Sequence, residues 1–214
     1  MVLEDENIIV RTTALRMLEP VAKENKVARL RLERYMHNEW SNASMKEVVQ
    51  LALTAHALDQ KPSIDLLTEM ITRYDTSALM RDAVLSSLQN REFSFLQNLM
   101  KLSGWQENKP SKEIFIEMLT TAIVKKRNSS ELSGLLGWLD MNSTSMSWKE
   151  KAILTALAIQ GKNNKVPIKL ATIPPYLTRE KSTLDSSAYR ILASMFEWPG
   201  HTPSPVGVEN KLDE

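Results

Sequence analysis

The sequence predicts an all-α fold, an α-solenoid of about five stacked helical hairpins forming a HEAT-like or armadillo-type superhelix. Three observations carry that expectation. Leu, Ala, Met, Glu and Lys are abundant while glycine is held to 6 residues in 214, a balance that favours helix over a sheet rich in tight turns. Apolar residues recur with helical spacing. That pattern itself returns about every 34 residues.

The units follow in order. Val10-Arg11 with Ala14-Leu15 marks the first, and its second helical stretch runs from Lys26 to Trp40. Val48 with Ala52-Leu53 opens the second, followed by Ser63 to Tyr74. Met80-Arg81 with Val84-Leu85 opens the third, followed by Glu92 to Gly104. Ile114 with Met118-Leu119 opens the fourth, followed by Ser129 to Leu139. Trp148-Lys149 with Ala152-Ile153 opens the fifth. The starts lie 38, 32, 34 and 34 residues apart, and LTAHAL (Leu53 to Leu58) matches LTALAI (Leu154 to Ile159). A single hairpin of this size cannot bury its apolar stripe, whereas stacked hairpins bury one another's.

Helix starts carry their own chemistry. Ser44-Met-Lys-Glu47 and Ser147-Trp-Lys-Glu150 read as capping boxes, in which the hydroxyl and the carboxylate each accept from an orphan backbone N–H. Pro62 and Pro110 read as connections, where a missing N–H costs nothing. Asp75 or Thr76 reads as the cap of the helix that holds Met80, Val84, Leu85 and Leu88 on one side. From Lys162 to Lys181 the prolines 167, 174 and 175 predict an extended connection, leading to a final helix over 182–197. The expectation is one helical-repeat domain over 1–197 and a linker tail over 198–214.

Composition narrows the function classes. With 27 Lys and Arg against 26 Asp and Glu, no large positive field exists for sequence-independent nucleic-acid binding. The lack of cysteine removes disulfides, Cys-ligated zinc and iron–sulfur clusters, and CxxCH haem attachment within this chain. No apolar run reaches the ~20 residues that cross a bilayer, and the acidic start MVLEDENIIV is unlike a signal peptide, so the segment is expected to be soluble.

No catalytic, cofactor-binding or metal site is expected. His37, His56 and His201 stand singly, without ligand spacing, and read as packed or exposed singletons. No GxSxG, GxGxxG or GxxxxGK[ST] pattern occurs. Arg29, Arg31 and Arg34, and again Lys125-Lys126-Arg127, form basic clusters that with five tryptophans suggest a nucleic-acid surface. Glu24, Glu33 and Glu39 around the first cluster make a solvated helix face the better reading. Trp40, Trp105 and Trp138, at the ends of second helices, read as wedges between hairpins, their N–H meeting solvent or a carbonyl. Methionine, present 11 times, reads as filler in irregular gaps.

The stretches TSALMRDAVLSSLQNREFSFL and FEWPGHTPSP resemble the HEAT-like helical-repeat segment of large bacterial periplasmic or membrane-associated dehydrogenases. In that family a sugar-dehydrogenase-like β-propeller precedes the repeats and a c-type cytochrome domain follows them. The resemblance spans about Asn7 to Pro205 and implies a connecting and docking module. Quinone and haem would then sit in flanking domains of an exported parent, with no cofactor in this segment. The partners implied are those flanking domains or another protein. HEAT-like repeats often place an Arg and an Asp near a helix start, which implies an inter-repeat clamp at Arg81 and Asp82, with Arg11 in the matching place of the first unit. The competing expectation is a HEAT-like DNA-binding protein or DNA glycosylase with a basic concave groove, which the near-zero net charge opposes.

Overall fold

The structure, a computed structural model, describes residues 2–140, 147–163, 166–178 and 186–203. The fold is all-α, with two two-residue strands among the described residues. The chain divides into two compact units, Met1–Phe115 and Ile116–Glu214, where the sequence suggests one domain over 1–197. No described helix is long and apolar enough to cross a membrane.

The first unit contains three hairpins: α1 (Ile8–Glu24) with α2 (Lys26–Glu39), α3 (Met45–Thr54) with α4 (Gln60–Arg73), and α5 (Ala78–Leu88) with α6 (Glu92–Lys101). A 3-10 turn, Val2–Glu4, packs on α1. Helix α1 lies against α2 and α3, α3 against α5, and α4 against α5 and α6. Leu15, Leu32, Met36, Leu51, Leu66, Met70, Val84, Phe95 and Trp105 are sealed inside, so the helical apolar spacing becomes one shared core. The Trp105 ring lies tilted against Phe115, centroids 6.0 Å apart, and its Nε1–H donates to Thr72 Oγ1 at 2.9 Å.

Side-chain bonds between these hairpins share one sequence interval. Arg16 donates to Gln50, Thr54 to Glu19, Ser87 to the Leu53 carbonyl, Arg91 to the Leu58 carbonyl and Arg73 to the Ser41 carbonyl, over separations of 34, 35, 34, 33 and 32 residues. One repeat length therefore separates the groups that bind hairpin to hairpin.

Local signals explain most boundaries. Asn25 alone joins α1 to α2: its N–H donates to the Val21 carbonyl, and its side-chain oxygen accepts from the N–H groups of Val27 and Ala28. Ser77, rather than Asp75 or Thr76, caps α5 by accepting from Met80 N–H at 3.2 Å. Pro62 lies in the first turn of α4 instead of the connection, and Pro110 is the first residue of α7 (Pro110–Lys126). Both are placements where the absent N–H has no helical partner to lose. The predicted box at Ser44 does not form: Ser44 is the N-cap of α3 but its side chain caps nothing.

In the second unit, α8 (Ser129–Asp140) packs on α10 (Pro175–Thr178), and α9 (Trp148–Asn163) packs on α11 (Ser186–Met195). At Gly161 a Cβ would stand 2.6 Å from Ile191 Cγ2, so glycine permits the close approach of α9 to α11. The expected extended connection from 162 to 181 instead continues α9 to Asn163 and includes strand β1 (Ile168–Lys169) and the single turn α10. Strand β1 pairs in parallel with β2 (Phe196–Glu197). The final helix accordingly stops at Met195, because Glu197 gives its carbonyl to Leu170 N–H at 2.7 Å. Its expected start at 182–185 lies outside the described residues.

The first residues of the expected linker are also folded. Trp198 pairs with His201 through a turn at Gly200, whose φ is 84°, and the two rings stack 3.8 Å apart. Residues 204–214 lie outside the described residues.

Candidate functional site

The proposed clamp residues take two kinds of position. Arg11 and Arg81 are each the fourth residue of their helix, and each reaches back six residues along the chain: Arg11 Nη1–H donates to the Asp5 carbonyl and Arg81 Nη1–H to the Asp75 carbonyl. Both thus fasten a helix start to the segment leading into it. Arg11 does more, because its Nε–H and Nη2–H donate to the two carboxylate oxygens of Glu47 on α3 at 2.7 and 2.9 Å. Asp82 is exposed on α5 and is not brought into this arrangement.

Glu47 is only 3% exposed, and its bidentate pairing with a guanidinium satisfies a buried carboxylate. The bond to Glu47 raises the Arg11 guanidinium above its ordinary value, against a smaller lowering from burial. Tyr35 of α2 shares this corner, a pocket of about 310 Å³ also lined by Glu4, Glu39 and Asn42. Burial first, and then the negative charge of Glu47, push the Tyr35 phenol up to about 12. Sequence reading missed Glu47 in this role. The available signal is its place 36 residues beyond Arg11, one repeat away on the adjacent helix.

Several residues of the basic clusters are engaged within their own unit. Arg29 bonds the carbonyls of Ala22 and Lys23, and its Nε lies 3.0 Å from Asp59 Oδ1 without hydrogen-bond alignment. Lys126 pairs with Glu131 at 2.9 Å. Arg127, in a left-handed backbone conformation with φ 54°, donates through Nη2 to the carbonyls of Val166 and Pro167. Arg31, Arg34 and Lys125 remain exposed.

Two of the three histidines contact nearby backbone carbonyls. His56 Nδ1–H donates to the Leu53 carbonyl at 2.7 Å, with Nε2 3.9 Å from Glu19, and His201 Nε2 meets the Ala193 carbonyl at 2.9 Å. His37 is half-buried on α2. Among the described residues no group of three or more His, Asp or Glu is placed to hold a metal ion. Of the tryptophan wedges, Trp105 is fully buried with its N–H on a hydroxyl rather than on solvent or a carbonyl. Trp40 is half-buried beneath the Arg73 guanidinium, 5.6 Å from its ring centroid. The Trp138 side chain lies outside the described residues.

An exposed apolar surface lies on the first hairpin. A groove of about 610 Å³ runs between the Val2–Glu4 turn, α1 and α2, and its lining is apolar except for Thr13 and Arg31. Val2, Ile9 and Met17 stand on it 61%, 60% and 70% exposed, with Val21 and Val27 continuing the apolar surface along the two helices. Single exposed apolar residues are ordinary, but a row of them along one face marks a place that water covers at a cost. Small side chains at Thr13, Ala14 and Ala28 leave the depression, while Leu18 and Leu32 form its apolar wall. Comparison with known protein families, with curated proteins and with solved structures returns no match to this chain.

Proposed function

We propose that this chain is a non-catalytic helical-repeat scaffold, an α-solenoid of HEAT-like hairpins that docks a protein through the outer face of its first hairpin. The observation that carries the reading is the apolar row of Val2, Ile9 and Met17 along the groove. In stacked hairpins such a face is covered by a neighbouring surface. Cross-hairpin bonds at one repeat interval support the repeat architecture, and the engagement of Lys126 and Arg127 within the fold speaks against a DNA groove. Placement between a propeller and a cytochrome domain in an exported parent belongs to the same proposal, and the gene on either side of this segment tests that placement.

The direct test uses photo-crosslinking residues at Ile9 or Met17, with exposed Lys151 as a control site. Protein adducts confined to the groove positions are expected. Absence of adducts there, together with retention of duplex DNA that weakens steeply with salt, would overturn the reading in favour of a nucleic-acid groove.

A further inference from the structure

The geometry points to a second copy of this chain as the occupant of that face, with α1 of one subunit antiparallel to α1 of its partner. This inference rests on the docking surface proposed above and names what fills it. Three features make the face self-complementary. The first is its symmetry along the helix: Ile9, Thr13, Met17 and Val21 follow one another at four-residue intervals, so they form one ridge about 18 Å long, inclined to the helix axis, and two such ridges align when the antiparallel helices cross obliquely. A two-fold axis at the level of Leu15 sets Ile9 against Val21 of the partner subunit and Met17 against Thr13 of the partner subunit.

The second feature is shape. Met17 is the most exposed large apolar side chain of the described residues, and it is long and flexible. Its symmetry-related target is the depression over Thr13, Ala14 and Ala28, so one face supplies both the knob and the hole. The third is charge. Beyond Ile9 lie the carboxylates of Glu4, Asp5 and Glu6, and beyond Val21 lie Lys23, Glu24 and Lys26 with one net positive charge. Antiparallel pairing brings the acidic end of each copy to the basic end of the other and opposes the two helix dipoles.

Area sets the strength. Val2, Ile9, Met17, Val21 and Val27 together expose on the order of 500 Å² per copy. Standard interfaces bury about 800 Å² per partner, so a face of this size with its charged rim suits reversible pairing rather than a permanent dimer.

Sedimentation velocity of the full chain over about 1 to 200 µM tests this. The expected result is a shift from 24.3 kDa toward twice that mass as concentration rises. Met17→Glu should weaken self-association at least about tenfold with unchanged helical circular dichroism. Should that variant unfold, exposed Val21→Glu gives the same readout. Glu6→Lys alone and Lys23→Glu with Lys26→Glu should each weaken pairing, and their combination should restore it. A wild-type chain that stays monomeric throughout, or a dimer indifferent to both apolar variants, overturns the inference. A monomer that still forms groove adducts with a different protein overturns self-pairing alone and leaves the scaffold reading standing.

Discussion

Ser44-Met-Lys-Glu47 and Ser147-Trp-Lys-Glu150 share the pattern Ser-x-Lys-Glu at a helix start, yet their glutamates do different things. At the second, Glu150 accepts from Ser147 N–H at 2.6 Å while Ser147 Oγ accepts from Glu150 N–H at 3.3 Å, a complete capping box. At the first, Glu47 turns away to take both guanidinium bonds of Arg11, and Ser44 is left without a side-chain cap bond. Two bonds to a cationic guanidinium outweigh the single bond a carboxylate makes to a backbone N–H, so where a guanidinium is within reach it wins. The same four-residue signal thus caps a helix start in one unit and bonds two hairpins together in the other.

Removing the two glutamates should separate the roles most sharply. Glu47→Ala is expected to cost about 2–3 kcal/mol, because α1 loses both charge-assisted bonds to α3, whereas Glu150→Ala should cost about 1 kcal/mol. Urea denaturation of both variants checks this, and equal losses would erase the distinction. The serines should reverse the order. Ser147→Ala is expected to cost about 1 kcal/mol and Ser44→Ala only a few tenths, read by the same titration.

Tyr35 offers a smaller and more specific reading. Its phenol, held up to about 12 against an ordinary value near 10, keeps its proton in the folded chain at pH values where the unfolded chain has lost it. That contribution is full below pH ~10 and disappears as pH rises through about 12, so alkaline unfolding should begin in this window. In Glu47→Gln the Tyr35 midpoint, followed by phenolate absorbance, should fall but stop short of the ordinary value, since burial is the larger cause. Arg11→Lys keeps the charge beside Glu47 and loses the two-pronged geometry. It should lower the midpoint of thermal unfolding by less than Glu47→Ala does.

Legibility follows from distance along the chain. Starts at Lys26, Ser129 and Trp148 are readable because the cap and the first apolar turn are adjacent in sequence. The parallel pairing of Ile168–Lys169 with Phe196–Glu197 is not, because two residues carry too little pattern and their partner lies 28 positions away. Arg11 is visible as a candidate, but its strongest bond depends on which side of α3 faces α1, a tertiary fact. The groove escaped for a related reason. A stripe such as Ile9, Thr13, Met17 and Val21 reads as core whether or not anything covers it.

One residue sets the mechanics of the hairpin that carries this surface. Because Asn25 alone both terminates α1 and begins α2, the connection has no slack to absorb a change of register. An inserted residue would turn α2 by about 100° and swing Leu32 and Met36 out of the interior, so length variation is expected to be barred there. Held this stiffly, the two helices behave as a single lever, and a load on the Met17 face is transmitted to α3 through Arg11 and Glu47 instead of being absorbed in a loop.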